Sequence, residues 1–220
     1  MTTRIKLINS ACGDLQEGKL YCIACTSGVD RLSILAEVAI DVLSWQSGLV
    51  IISNEYERLS LIEQLKQCYR SSGKYSSALS LWADYQPASS YNHIHNTLER
   101  IISRDRNLLH VLIVDNLLKI DTDFTCKEHH LRIAANLYLL RMIAVEYDIP
   151  VIVFTEYSFD NSICTVFSDS EYIERLTIYR FPRERIPKPT RNGTLFLSTD
   201  KRRKQSAELE LPLFITNFTQ

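Results

Sequence analysis

The sequence predicts an α/β fold with a mostly parallel central sheet that helices flank on both faces. Short, nearly continuous apolar runs alternate with longer stretches in which apolar residues recur at helical spacing. Continuous apolar runs are typical of strands that are buried on both faces, as in a parallel sheet between helices. With 220 residues, 45% of them hydrophobic, the chain is long enough to bury the core of one large domain, which we expect to span 1–220.

The elements follow in order along the chain. Apolar runs predict strands at 20–24, 49–52, 110–114 and 151–154. Periodic stretches predict helices at 32–44, 59–69, 93–103 and 128–147. Polar breaks at 71–77 and 84–90 predict loops. After residue 158, β-type runs at 173–179, 194–199 and 208–215 alternate with polar, proline-containing turns, so we expect antiparallel strands to complete the sheet.

Charge and cysteine usage exclude several classes of protein. The net charge of −1 provides no overall attraction to nucleic acid or to a membrane surface. No apolar run reaches the roughly 18 residues that a membrane-spanning helix needs, and residues 1–10 lack the apolar core of a signal peptide. The six cysteines form no dense framework, which favours a reducing compartment. We therefore expect a cytoplasmic protein that does not contact membranes.

Candidate functional residues follow the predicted strands, because ligands of parallel sheets bind beyond the carboxyl ends of the strands. The segment from Thr26 to Leu32 joins the first strand to the first helix. Glu55, Asp115 and Glu156 follow the second, third and fourth of the early strands. Three acids at one edge of a sheet are a reasonable arrangement for metal-assisted phosphate chemistry.

Several segments resemble, in order and spacing, one family of ATPases. They are Gly-Asp-Leu-Gln-Glu-Gly-Lys-Leu at 13–20, the strand-to-helix segment at 21–39, Ile-Ile-Ser-Asn-Glu-Tyr at 51–56, the stretch at 81–100, Val-Leu-Ile-Val-Asp-Asn-Leu-Leu at 111–118, Asp-Ile-Pro-Val-Ile at 148–152, and the segments 171–180 and 200–203. These resemble the C-terminal ATPase domain of DnaB-type replicative helicases over nearly the whole chain from Gly13. The resemblance implies a RecA-like P-loop NTPase fold without the family's N-terminal helicase domain.

The resemblance also implies roles for individual residues. Glu55 matches the acid that polarises the attacking water, and Asp115 matches the acid that holds Mg²⁺ through its water shell. Glu156 stands where the family usually has a glutamine that senses the γ-phosphate. Lys201 and Arg203 match basic residues that reach a neighbouring subunit's nucleotide site, Arg203 as an arginine finger. An active member of the family would use ATP and Mg²⁺.

The phosphate loop departs from the family pattern. Its residues, as candidates for nucleotide binding, are Thr26, Ser27, Gly28, Val29, Asp30, Arg31 and Leu32. The motif ends in Gly-Lys-Ser/Thr, whereas this chain has Asp30, Arg31 and Leu32. Arg31 keeps the charge of lysine but is larger and planar, and Leu32 cannot bind a metal. A carboxylate at Asp30 would repel a phosphate by roughly 4 kcal/mol at about 4 Å, so we expect Arg31 to pair with Asp30 and to occupy the pocket.

Three further patterns have unremarkable interpretations. Cys22 and Cys25 form a C-x-x-C but have no second pair at metal-binding spacing, which predicts two packed, reduced cysteines. The histidine pairs at 93/95 and 129/130 indicate solvated helix residues. The basic run at 201–204 is either a solvated turn or a contact with a subunit or with DNA backbone. The candidate DNA loops, 121–127 and 158–170, are not basic.

Two functions remain open at this point. The first is a non-catalytic RecA-fold protein that acts through contact with protein or DNA in replication or recombination. Its partners would be copies of itself, a helicase or a recombinase. The second is an active ATP-dependent DNA helicase of the DnaB type. A KaiC- or RadA-like relative would share the fold. The three changes in the phosphate loop favour the first function.

Overall fold

The computed structural model describes residues 12, 14–26, 30–44, 48–72, 80–106, 109–121, 128–157, 172–179, 192–198 and 206–212. Within these residues the strands are β1 (Leu20–Thr26), β2 (Leu49–Ser53), β3 (Leu81–Tyr85), β4 (Val111–Asp115), β5 (Val151–Tyr157), β6 (Ile173–Tyr179), β7 (Asn192–Ser198) and β8 (Ser206–Pro212). The α-helices are α1 (Arg31–Leu43), α2 (Arg58–Ser72), α3 (Tyr91–Ile102) and α4 (His129–Tyr147). A short 3-10 turn spans Leu117–Lys119.

These strands form one sheet in the order β3-β2-β4-β5-β1-β6-β7-β8. The first six are joined by parallel pairings, which confirms the predicted parallel α/β architecture. The pairings of β6 with β7 and of β7 with β8 are antiparallel. Because the sequence order reverses around β1 and β4, the loops after β1, β2, β4 and β5 meet at one edge of the sheet.

Two apolar cores, one on each face, hold the sheet between its helices. Alternate residues of a strand point to opposite faces, so β1 contributes Tyr21 and Ile23 to one core and Leu20 and Cys22 to the other. The buried faces of α1 and α2 complete the first core, and those of α3 and α4 complete the second. Burial of strands on both sides explains why the central strands are continuous apolar runs.

The structure corrects two predicted boundaries. The break predicted at 84–90 is wrong at its start, because Asp84 lies within β3. This strand is at the edge of the sheet and is mostly half-buried, so it lacks the continuous apolar run that identifies the inner strands. Strand β5 extends past residue 154 to Tyr157, because its last three residues pair with the end of β1. Glu156 therefore lies within a strand and not in the loop after it.

The model also bears on the membrane question. Among the described residues, none of the helices is both long enough and apolar enough to span a bilayer.

Candidate functional site

The register of the parallel strands brings the predicted acids to one edge of the sheet. Ser53 at the end of β2 lies opposite Asp115 at the end of β4. Asp115 in turn lies opposite Phe154 of β5, two residues before Glu156. Glu156 pairs with Cys25 of the neighbouring strand β1. The ends of four strands thus meet beside the beginning of α1, and Glu55 follows β2 by two residues.

Arg31, the first residue of α1, is the centre of this edge. Its side chain is 7% exposed and each guanidinium nitrogen faces a different carboxylate. Nε lies 2.9 Å from Oδ1 of Asp115, and Nη1 lies 3.1 Å from Oε1 of Glu156. Nη2 lies 3.5 Å from Oε2 of Glu55. The three acids that the strand pattern identified are therefore brought together, and they are brought together around an arginine.

Two further side chains complete the cluster. The Cζ atom of Arg31 lies 5.5 Å from the centre of the Tyr56 ring, which is cation–π distance. Nζ of Lys119, in the turn after β4, pairs with Oε2 of Glu55. Sequence reasoning assigned no role to Tyr56 or Lys119. The available signal was their position, since both follow closely after the ends of strands whose acids had been singled out.

The depth of these groups in the protein shifts their proton affinities. Burial raises the pKa of Asp115 to about 6, although the nearby Arg31 guanidinium opposes this. Burial alone would lower the pKa of Arg31, but the carboxylates, Asp115 foremost, raise it above its ordinary value. Burial also raises the pKa of Tyr56 to about 12, so its phenol stays protonated at neutral pH. Arg31 is thus a permanent cation that compensates buried negative charge.

Hydrogen bonds fix the loops that carry the acids. Ser53 donates from Oγ to Oδ2 of Asp115 (3.3 Å) and accepts from the backbone N–H of Tyr56 (2.9 Å) and of Glu55 (3.2 Å). The buried Asn54 donates from its backbone N–H to the carbonyl oxygen of Asp115 (2.6 Å). A single hydroxyl and a single backbone amide therefore tie the end of β2 to that of β4.

The Asn54 side chain extends this connection to the loop after β4. Its Nδ2 donates to the carbonyl oxygen of Asn116 at 3.0 Å, and its Oδ1 accepts from the backbone N–H of the same residue. Nδ2 also lies 3.3 Å from Oγ of the buried Ser89, in the segment after β3. The peptide bond between Asp115 and Asn116 is cis. The acids are thus held by a scaffold of buried polar groups that are satisfied by one another.

Asp30 has a different role from the one expected. Its carboxylate caps α1, accepting from the backbone N–H of Ser33 at 3.1 Å and from Ser33 Oγ at 2.6 Å. The prediction that Arg31 pairs with Asp30 is therefore wrong, because Ser33 holds the Asp30 carboxylate while the guanidinium turns toward the strand ends. The cap also takes a backbone N–H of the kind that a phosphate would bind at a helix N-terminus.

The other sequence-based candidates are placed as follows. Thr26 ends β1, and Leu32 is partly buried against the core beneath α1. Ser27, Gly28, Val29, Lys201 and Arg203 lie outside the described residues, as do nearly all of the two candidate DNA loops. Cys22 and Cys25 are both buried but belong to the cores on opposite faces of the sheet.

The predicted histidine pairs make local contacts with acids or with arginine. His93 lies 3.3 Å from Asp84, and His95 lies 3.1 Å from Glu146. No group of three or more histidine, cysteine or acidic side chains with the geometry of a metal site occurs among the described residues. Around Arg31 this is explained by the guanidinium, which occupies the space between the three carboxylates.

This arrangement does not fit a Mg²⁺–nucleotide complex. The carboxylate that would face the metal, Asp115, is fully buried against the Arg31 guanidinium. A divalent cation at the same place would lie within repulsive distance of that charge. A nucleotide phosphate would in addition meet the Asp30 carboxylate at the start of α1. The place of both cations of a P-loop, the lysine and the metal, is taken by one arginine.

Comparison with known proteins gives the fold a wider context. No family model and no curated protein matches the sequence. Among solved structures, the ATPase domain of a DnaB-like helicase superimposes with a TM-score of 0.70 at 11% identity, covering 90% of this chain and 82% of that one. A DnaB-like replicative helicase, described with its interactions with primase, gives a TM-score of 0.69 at 11% identity. The match covers 90% of this chain and 55% of the helicase, so this chain spans about half of that protein.

A KaiC-like protein from Pyrococcus horikoshii is similar at a TM-score of 0.61 and 14% identity, with 90% of this chain and 87% of that one covered. The chain has a RecA-like α/β fold. At these identities the likeness concerns the fold alone. Within the RecA-like fold, the cluster around Arg31 lies at the carboxyl ends of the parallel strands, the edge where ligands of such sheets bind.

Proposed function

We propose that this chain is a DnaB helicase-like RecA-fold protein with a degenerate nucleotide site, which is not an ATPase and acts through contact with protein or DNA in replication or recombination. The observation that carries the proposal is the three-way contact of Arg31 with Glu55, Asp115 and Glu156. An ATPase needs these acids for water and metal. Here an internal cation holds them.

The charges of the cluster support a structural role for the retained acids. Buried carboxylates without compensation are strongly unfavourable, so removal of the P-loop lysine and metal would destabilise this edge of the sheet. Arg31 supplies the missing charge from inside the chain, and Lys119 adds a second cation at Glu55. The acids can then persist as part of the fold after the chemistry has been lost.

The alternative is an active ATPase of the DnaB type in which Arg31 leaves the acids when nucleotide arrives. The retained positions of Glu55 and Asp115 at the strand ends favour it. Against it stand the near-complete burial of Arg31 and the number of its partners, because moving the guanidinium would expose three carboxylates to one another. We therefore regard it as the second candidate.

Steady-state phosphate release distinguishes the two candidates. The wild-type protein is incubated with ATP and Mg²⁺, with and without single-stranded DNA, beside the Glu55→Gln variant. The proposal predicts the same background rate for both proteins. Turnover that DNA stimulates and that Glu55→Gln abolishes would establish the helicase-type alternative.

The binding part of the proposal needs its own measurement. Fluorescence anisotropy with labelled single-stranded DNA, in low and moderate salt, tests the nucleic-acid partner, because phosphate contacts weaken steeply with salt. Co-sedimentation with a purified replicative helicase or recombinase tests the protein partner. Absence of binding to DNA, to both proteins and to a second copy of the chain would refute action through contact.

A further inference from the structure

Helix α4 carries an exposed apolar stripe that the site around Arg31 does not use. Among the described residues, four of the five large apolar side chains that are exposed lie on this helix: Leu131, Tyr138, Met142 and Val145. The opposite side of the helix is packed into the core through Ile133, Leu137, Leu140 and Ile143. An outward apolar stripe of this length on one helix is unusual for a free surface and typical of a contact surface.

The spacing of the stripe is that of a coiled-coil seam. Leu131, Tyr138 and Val145 recur every seven residues, and Ala135 and Met142 lie four residues after the first two of them. They therefore occupy the d and a positions of successive heptads. Tyr138 is held in place by an edge-to-face contact with the Tyr172 ring, whose centre is 5.4 Å away. The seam is thus apolar, regularly spaced and partly fixed before any partner arrives.

The charges beside the seam indicate what covers it. With about 100° of rotation per residue, Arg141 lies on one side of the stripe and Glu146 on the other. In the heptad they occupy a g position and the following e position, five residues apart, which is the relation of ion pairs between parallel helices. Two copies of α4 in parallel would therefore place Arg141 of each copy beside Glu146 of the other. In antiparallel copies, each side of the stripe would meet its own like.

We propose that α4 forms a parallel, two-fold symmetric contact with α4 of a second copy of this chain. The seam from Leu131 to Val145 is about 21 Å long at 1.5 Å per residue, so the contact is small. Contacts well below about 800 Å² per partner are weak, and the dimer should dissociate in the micromolar range or above. This inference does not depend on the state of the nucleotide site.

Sedimentation velocity over a concentration series tests the contact. We expect a monomer–dimer equilibrium that Val145→Glu weakens at least tenfold. Leu59→Glu is the matched control, because Leu59 is equally apolar and more exposed but lies on α2, outside the seam. A wild-type protein that is monomeric at every concentration, or a dimer that Leu59→Glu disrupts as strongly as Val145→Glu, would overturn the proposal.

Two further variants test the orientation and guard against misfolding. Arg141→Glu should weaken the dimer, and Arg141→Glu with Glu146→Arg should restore it, which a folding defect would not do. Val145→Cys, in a Cys68→Ser background, should form a disulfide-linked dimer under mild oxidation. In antiparallel copies centred on Tyr138, the two thiols would be about 21 Å apart. Failure of the charge exchange or of the linkage would rule out the parallel contact.

Discussion

Nε of Arg31 lies 2.9 Å from Oδ1 of Asp115, and the Asp115 side chain is fully buried. The first residue of α1 thereby reaches the last residue of β4, and it neutralises the acid that a P-loop protein would turn toward its metal. The same guanidinium contacts Glu55 and Glu156. An internal cation in the place of lysine and metal is the basis of the account, and its consequences can be measured.

Removal of the internal cation should destabilise the fold. Arg31→Met keeps the apolar length of the side chain but leaves Asp115 buried without a counter-charge. Breaking one side of a buried ion pair costs about 3–5 kcal/mol, which urea denaturation would measure as a lower free energy of unfolding. The control is Lys66→Met, which breaks the exposed pair with Glu63 and should leave the free energy of unfolding nearly unchanged. Equal effects of both substitutions would contradict a special role for Arg31.

Removal of the guanidinium should also create a divalent cation site. In Arg31→Ala the carboxylates of Glu55, Asp115 and Glu156 surround an empty space, and oxygen ligands of this kind bind Mg²⁺ or Mn²⁺. We expect millimolar Mn²⁺ to raise the melting temperature of Arg31→Ala, because a ligand that binds only the folded state stabilises it. Arg31→Lys retains a cation and should show no such rise. A similar response of both variants would argue against the interpretation.

The stability of the protein should depend on pH through Asp115. Burial raises the pKa of this carboxyl to about 6, above the roughly 3.9 of an unfolded chain. The folded state therefore holds the proton more tightly, and the stabilisation is present below about pH 4 and is lost as the pH rises through about 6. Asp115→Asn cannot titrate, so its free energy of unfolding should rise relative to that of wild type over this range. Urea denaturation at several pH values would show this, and parallel pH profiles for the two proteins would contradict it.

Asp30 should act as a helix cap and not as a partner of Arg31. Asp30→Ala removes the acceptor for the Ser33 backbone N–H and should cost about 1 kcal/mol. Asp30→Asn keeps an oxygen at that place and should cost much less. Thermal denaturation of both variants would check this. A larger loss in Asp30→Asn than in Asp30→Ala would indicate that the charge of Asp30, and not its cap, is what stabilises the protein.

The position of the acids could be predicted from the sequence, whereas the partner of Arg31 could not. Inner strands buried on both faces are continuous apolar runs, so their carboxyl ends, and Asp115 with them, were visible in the pattern. The contact of Arg31 with Glu156 joins residues 125 positions apart. It depends on the order of β4, β5 and β1 in the sheet and on the direction in which a long side chain turns. Neither is encoded in local spacing.

Strand β3 and the Asp30 cap were missed for other reasons. At the sheet edge, β3 buries mainly Ala83 and carries Trp82 and Asp84 on less buried positions, so its pattern resembles a loop. Asp30 two residues before Leu32 is equally consistent with a cap and with an ion pair. The structure decides for the cap because Ser33 presents both a backbone N–H and a hydroxyl to the carboxylate.

Equilibrium titration of the wild-type protein with ATP in the presence of Mg²⁺ tests the central claim most directly. Isothermal titration calorimetry would be run beside the variant Asp30→Gly with Arg31→Lys and Leu32→Ser, which restores the end of the phosphate loop. We predict no saturable binding to the wild-type protein up to millimolar ATP, and a measurable gain in the restored variant. Saturable binding of Mg²⁺–ATP to the wild-type protein in the micromolar range would contradict the account.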